Sequence, residues 1–390
     1  MSQFLELLET LRAEDASVSR LFGDAGTSVR RMRRDSPKYQ RMLVEAAELV
    51  EGVYSGKRPT YHLQEAMSVD DFPLLFGDIL DRQLLGMYAE WPTQWSMIAR
   101  RSTVRDFRTV NRFVTDGAEA VLASVPPGSE YPEAAISEAR YQYSVSKYGR
   151  RVPLLWETWI NDDLDGLRSI PERLAKAARM SEEKFVTGLY AGATGPATAF
   201  FTSGNKNIVT TGTLNPAFSI TALEAAFPVI WAQRDADGNP IFTGPLRLVV
   251  PPALAVQARN VLNSTEIRIA SGSGSSTNQI IAKNWMAGEI TELIVNPWLP
   301  IVSTTNGNTS WYLFADPGVG RPAVEVGFLR GNETPALFVK SPDAMRVGGG
   351  SVSPEEGDFD TDGINYRVRH VFGGTLMEPK AAFASNGTNS

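Results

Sequence analysis

The most constraining feature of this sequence is a ribbon with nothing of its own to lie against. Val104, Phe107 and Val110 lead into small and acidic residues, Asp116 to Glu138, with Pro126-Pro127-Gly128 marking a turn at the middle. Tyr141, Tyr143 and Val145 then alternate with polar residues, the period of a strand. The pattern predicts a long two-stranded hairpin over 103–155. An isolated hairpin is marginal in water, so its cover must come from outside the subunit.

The chain before the ribbon reads as helices loosely joined. Phe4, Leu5, Leu8 and Leu11 make a short apolar stripe. Ser36-Pro37 is a helix start, and Tyr39, Met42, Leu43, Ala46, Leu49, Val50 and Val53 recur at three and four until Gly56. A third helix starts near Asp70-Asp71 and stops at Pro92. Polar linkers separate the three, which predicts an arm rather than a compact domain.

Beyond the ribbon the sequence predicts a helix over 169–190. Ser169 and Glu172 fit a capping box, and Ile170, Leu174, Ala177, Ala178, Ser181, Phe185 and Leu189 share one face. At 1.5 Å per residue this helix is roughly 30 Å long. From Ala217 the pattern is mixed. A cap at Thr221 to Glu224 opens a helix that Pro228 should kink. Strands are expected at Leu246–Val250, Leu293–Val295, Trp311–Ala315, Val324–Leu329 and Tyr366–Phe372, and a helix from Pro252 through Leu262. Ser271 to Thr277 reads as a mobile loop, and the last seven residues as a loose tail.

Composition narrows the function classes. The 390 residues suffice for two or three units, and 43% apolar with 21% charged excludes wholesale disorder. The formal charge of -6 confines any nucleic-acid contact to a local patch. With no cysteine, disulfide and thiolate chemistry are excluded, and two histidines exclude a histidine-rich metal site. Met1 to Glu6 has no signal-peptide pattern, and no apolar run of about 18 residues exists. The expectation is a soluble protein of a reducing compartment, or one with no need for sulfur.

Motifs that carry chemistry fail in turn. Asp358 to Gly363 imitates the start of a calcium loop, but the twelfth position is Arg369 where a bidentate Glu is required, so an acidic turn is expected. Gly272 to Ser276 lacks the Gly-Lys-Ser/Thr of a phosphate loop. A serine triad would need His62, in a linker, or His370, in a strand, and no Gly-x-Ser-x-Gly exists. No cofactor, metal or catalytic residue is expected. Arg30, Arg31, Arg33, Arg34, Lys38 and Arg41 form a basic run that reads either as a nucleic-acid contact or as a solvated loop or intersubunit strip.

Four pieces in order resemble the major capsid protein of tailed phages, in the Mu-like major head subunit branch. They are Asp71-Phe-Pro-Leu-Leu-Phe-Gly-Asp-Ile-Leu80; Tyr148-Gly149-Arg150 with Trp159-Ile-Asn-Asp-Asp-Leu164 and the long helix; Asp237-Gly-Asn-Pro240 with Leu248-Val-Val-Pro-Pro-Ala-Leu254; and Val324-Glu-Val-Gly-Phe-Leu329 with Gly363-Ile-Asn-Tyr-Arg-Val-Arg-His-Val-Phe-Gly373. The resemblance spans about residues 70–375. It implies an α+β chain of the Hong Kong 97 fold, shared with encapsulins. Mapped here, that gives an N-terminal arm and helices at 1–102, an E-loop hairpin at 103–155, and a peripheral domain with a spine helix at 156–216. An axial domain follows at 217–323, then peripheral return strands and tail at 324–390.

The resemblance further implies a non-enzymatic subunit that self-assembles as hexamers and pentamers into an icosahedral head enclosing double-stranded DNA. The head would be built in the host bacterial cytoplasm with portal and scaffolding proteins and, where stabilisation needs it, a cement protein, and no membrane. Pro126, Pro127, Gly128, Tyr131 and Pro132 become the hairpin tip over an adjacent subunit, and the Arg30–Arg41 run becomes a candidate inward face. Some members carry an N-terminal scaffolding segment, and 1–55 is charged and helical enough to be a remnant. One branch cross-links an E-loop lysine to an asparagine; here Val104 to Ser146 has no lysine, so no such cross-link is expected. The alternative is an encapsulin-like compartment holding a cargo enzyme. A cytosolic hydrolase would need a pocket with a perturbed acid or base, for which the sequence offers no candidate.

Overall fold

The computed structural model describes residues 44–49, 52, 58, 84–116, 125, 137–155, 164–209, 215–234, 238–241, 244–271, 278–318, 321–340 and 358–388. In chain order the elements used below are α1 (Trp95–Ile98), β1 (Ala99–Val104), β2 (Val110–Asp116), β3 (Ser137–Tyr143), β4 (Ser146–Leu155) and α2 (Leu164–Tyr190). Then come α3 (Ile220–Trp231), β5 (Leu246–Val250), α4 (Ala255–Asn263), β6 (Glu266–Ser271), β7 (Asn278–Lys283) and β8 (Ile290–Val295). The chain ends with β9 (Trp311–Ala315), β10 (Val324–Leu329), β11 (Ala336–Val339), β12 (Gly363–Leu376) and β13 (Ala382–Ser385). The fold class is α+β. The chain divides into two units, with breaks after Trp91, Tyr148, Ala177, Thr334 and Arg369.

The first unit contains Gly149–Ala177 and Pro335–Arg369 together with the chain before Pro92. The early helices are described over 44–49 and 84–90. β11 pairs antiparallel with the first half of β12, from Ala336↔Arg369 to Val339↔Tyr366. Ile364, Tyr366 and Val368 point one way and are buried, as period-two alternation requires. The Asp358 to Gly363 segment is the expected acidic turn. The Asp358 carboxylate accepts from Thr361 N (3.1 Å), Thr361 Oγ1 (2.7 Å) and Gly363 N (3.1 Å).

The second unit holds two sheets and most of the core. β1 runs parallel to β10 from Ala99↔Val324 to Val104↔Leu329, and β10 pairs antiparallel with Phe372–Leu376 of β12. The other sheet has the order β8-β5-β9-β13. β9 is buried along all five residues because both sheet faces are covered, which is why Trp-Tyr-Leu-Phe-Ala reads as a continuous apolar run. Tyr312 and Phe314 enter one core with Tyr190, Phe201 and Phe328; Trp311 and Leu313 enter another with Phe218, Leu223, Phe227 and Leu248. α3 covers the second core, and Ser219 caps it, accepting from Ala222 N at 3.1 Å, two residues before the expected cap.

Three expectations change. The paired ribbon is β2 with β3, from Val110↔Tyr143 to Asp116↔Ser137, while 99–104 is paired with β10 instead. β6 and β7 pair antiparallel on either side of the expected mobile loop, from Glu266↔Lys283 to Ser271↔Asn278. The tail is held as far as residue 388: β13 pairs with β9, and Thr309 Oγ1 donates to the Asn386 carbonyl at 2.9 Å. The small residues that suggested a loose end are small because Ala382 and Ala384 lie fully buried against β9.

Candidate assembly surfaces

The ribbon has one anchored face and one bare face. Val110 and Arg112 on β2 and Tyr141 and Tyr143 on β3 lie on the partly buried side. Asn111, Phe113, Arg140 and Gln142 lie on the other and are exposed, Phe113 by 56%. Among the described residues β2 and β3 pair only with each other. A large aromatic on an unaccompanied two-stranded ribbon is a contact waiting for another surface.

The base of the ribbon is pinned by one carboxylate. Glu325 lies in β10, a run otherwise apolar, and is 1% exposed. Its Oε1 accepts from Arg112 Nε (2.7 Å), Ser102 Oγ (2.8 Å) and Tyr143 OH (2.8 Å). A buried carboxylate needs such partners, since an unpaired one would cost several kcal/mol. Burial pushes the Tyr143 hydroxyl pKa up, so it stays a neutral donor. Burial also opposes the charge on Arg112, but the hydrogen bonds with Glu325 and Tyr143 outweigh it and raise its pKa. Two glycines let the pieces approach: a Cβ at Gly327 would lie 2.5 Å from Tyr143 OH, and one at Gly373 would lie 2.3 Å from the Ser144 carbonyl oxygen. Val104, Tyr143, Val145 and Val371 fill the space around this base.

A second buried carboxylate holds the long helix. Ala178, Glu182, Val186 and Tyr190 are four apart and all buried, so Glu182 lies on the helix's inner line. It accepts from Trp95 Nε1 (3.0 Å) and Arg179 Nη1 (3.2 Å) on Oε2, and its Oε1 is 2.7 Å from His370 Nε2. Beside it Glu183 Oε1 accepts from the backbone N–H groups of Gln94 (2.6 Å) and Trp95 (3.2 Å); burial raises its pKa and these bonds partly offset that. His370 packs against Phe328 and Phe372, with ring centroids 5.7 and 5.1 Å away, which makes it a packing residue rather than a base for a serine. Away from these networks, Trp231 and Trp285 flank buried Phe227 and are 55% and 39% exposed.

The sequence-derived tip residues Pro126, Pro127, Gly128, Tyr131 and Pro132 lie outside the described residues, as does the run Arg30, Arg31, Arg33, Arg34, Lys38 and Arg41. Sequence reasoning missed Ser102, Arg112, Tyr143 and Glu325. The available signal was the lone acid in Val-Glu-Val-Gly-Phe-Leu, which a buried strand admits only with a paired donor. Among the described residues no cluster of three or more His, Asp or Glu could hold a metal, and no helix is long and apolar enough to cross a membrane.

Comparison with known proteins follows the same lines. Residues 139–385 match the family model described as phage capsid protein, and the chain belongs to that family. Such a protein is a structural component of a bacteriophage capsid. Among solved structures, a virus-like particle from Pyrococcus furiosus aligns with TM-score 0.44 and 10% identity over 80% of this chain and 99% of its own. The capsid of cyanophage P-SCSP1u gives 0.42 and 14% over 77% and 89%. The holo-SrpI encapsulin complex from Synechococcus elongatus PCC 7942 gives 0.44 and 13% over 95% and 94%. A search of curated proteins found no match. The assignment rests on the family match.

Proposed function

We propose that this chain is the major capsid protein of a tailed bacteriophage, assembling as hexamers and pentamers into an icosahedral head that encloses double-stranded DNA. The observation that carries the reading is the ribbon β2–β3, pinned at its base by Glu325 and bare along the face of Phe113, in a chain of this family. Ordering such a ribbon costs on the order of 1–2 kcal/mol per residue in backbone entropy, which two strands with one bare face recover poorly. A neighbouring copy supplies the missing cover, and many weak contacts per subunit add by multivalency. Closed symmetry then leaves no open edge for further growth.

In this reading 1–102 is an arm, 103–155 the E-loop, 217–323 the axial domain, and 156–216 with 324–390 the peripheral domain. Pro126, Pro127, Gly128, Tyr131 and Pro132 reach an adjacent subunit, and Arg30 to Arg41 faces the genome. Portal and scaffolding proteins, and a cement protein where one is used, complete the head in the host cytoplasm. The subunit does no catalysis. Electron microscopy of the purified assembled protein, with nuclease-protected DNA measured in the particles, tests this. Closed icosahedral shells protecting DNA are expected. A solitary folded molecule would overturn the assembly reading, and shells filled with a folded enzyme and no DNA would replace the phage head by an encapsulin-like compartment.

A further inference from the structure

The small sheet of the first unit presents an arginine face. Arg367 and Arg369 are two apart on β12 and stand on the side opposite buried Ile364, Tyr366 and Val368. Asn365 shares that side and its Oδ1 accepts from Arg151 Nε at 2.8 Å, which brings a third guanidinium to the group. Phe338 on β11 is the register partner of Arg367, and the guanidinium carbons of Arg367 and Arg369 lie over its ring, 4.9 and 4.7 Å from the centroid. Arg151 and Arg367 are exposed. β4, β11 and β12 carry no Asp or Glu. Stacking on a ring holds a guanidinium plane in place before a carboxylate arrives, so less ordering entropy is lost on pairing.

The complementary charge lies in the ribbon. Residues 116–138 contain Asp116, Glu119, Glu130, Glu133 and Glu138 and no Lys or Arg. β2 and β3 stay paired up to Asp116↔Ser137, and residues 117–136 join them. Ten residues out and ten back can project up to about 33 Å. We propose that this acidic segment of one copy docks on the Arg151–Arg367–Arg369 face of a second copy, with Phe338 ordering the cationic side. This rests on the reading that copies of the chain assemble, and it names the two surfaces that meet.

The test uses full-length chains and two reversed variants: Arg367→Glu with Arg369→Glu on the face, and Glu130→Lys with Glu133→Lys on the segment. Thermal unfolding of unassembled chains controls for folding. Each variant alone should need a subunit concentration on the order of tenfold higher for shell formation, because each exposed pair is weak but repeats in every subunit. Mixing the two variants should restore assembly, since each segment then finds an opposite charge on the other chain. Raising salt from 0.1 to 1 M shortens the Debye length from about 10 to about 3 Å and should shrink the difference between wild type and variants. The inference is overturned if both variants assemble like wild type. It is overturned if combining all four changes in one chain restores assembly while mixing does not, which would make the contact internal. It is also overturned if the face variant forms normal shells that hold less DNA, which would make the face a phosphate surface. Failure of wild type itself to assemble would instead overturn the reading beneath it.

Discussion

Replacing Glu325 by Gln keeps the shape at the base of the ribbon and removes its charge. Three donors converge on Oε1 at 2.7–2.8 Å in a residue that is 1% exposed. Hydrogen bonds to a charged group contribute about 1.5–3 kcal/mol and neutral ones about 0.5–1.5, so the loss approaches 1 kcal/mol per bond. The Arg112 side chain is 33% exposed, which screens its share. The expected cost of Glu325→Gln is therefore about 2 kcal/mol, and Glu325→Ala, which strands all three donors, should cost about 3–5. Hydrogen exchange of the full-length unassembled chain reads this locally. Amides of Val110–Asp116 and Ser137–Tyr143 should exchange about 30-fold faster in Glu325→Gln, from tenfold per 1.4 kcal/mol. Rates within about twofold of wild type would refute the claim that this carboxylate anchors the ribbon. Arg112→Ala should add little in the Glu325→Ala background, because the partner is already gone.

Other consequences follow from the same structure. Gly373→Ala sets a Cβ 2.3 Å from the Ser144 carbonyl oxygen and should cost at least the ~1–3 kcal/mol typical of overpacking, read as a lower urea midpoint for the full chain. Glu182→Ala removes the shared acceptor of Trp95, Arg179 and His370 and should destabilise by about 3–5 kcal/mol, whereas Glu182→Gln should lose less than half of that. Asp358 is held at about 2 by hydrogen bonds from Thr361 and Gly363. Because the folded value lies below the ordinary one of 3.8, its contribution is present above about pH 4 and disappears as pH falls toward 2. Asp358→Asn should flatten the acid limb of the stability curve in that window and leave the neutral limb's slope unchanged, measured by denaturant titration at several pH values.

Much of the fold was legible because it rests on local pattern. The apolar runs at Leu246–Val250, Trp311–Ala315 and Val324–Leu329 are strands buried by the residues the alternation points inward, and the long helix begins and ends near its expected bounds. The β6–β7 pair was also within reach, since Ile267 and Ile269 alternate with polar residues, but the Gly/Ser run beside it dominated the reading. The helix face was misplaced because an acid was counted as outward. Glu182 lies on the inner line and Ser181 is exposed, since His370 and Trp95 offer the carboxylate partners from elements 188 and 87 residues away. The Glu325 anchor and the arginine face have the same cause. Which strand meets which, and in what register, decides that Arg112 finds Glu325 and that Phe338 lies between two arginines, and no local period records it.

The most direct test is a side-chain-resolution cryo-electron microscopy map of the assembled protein. The account expects a closed shell in which the ribbon of each copy rests, by its Phe113 face or its acidic end, on a different copy. A particle in which every ribbon folds back onto its own subunit, or a preparation that contains single molecules alone, would contradict it.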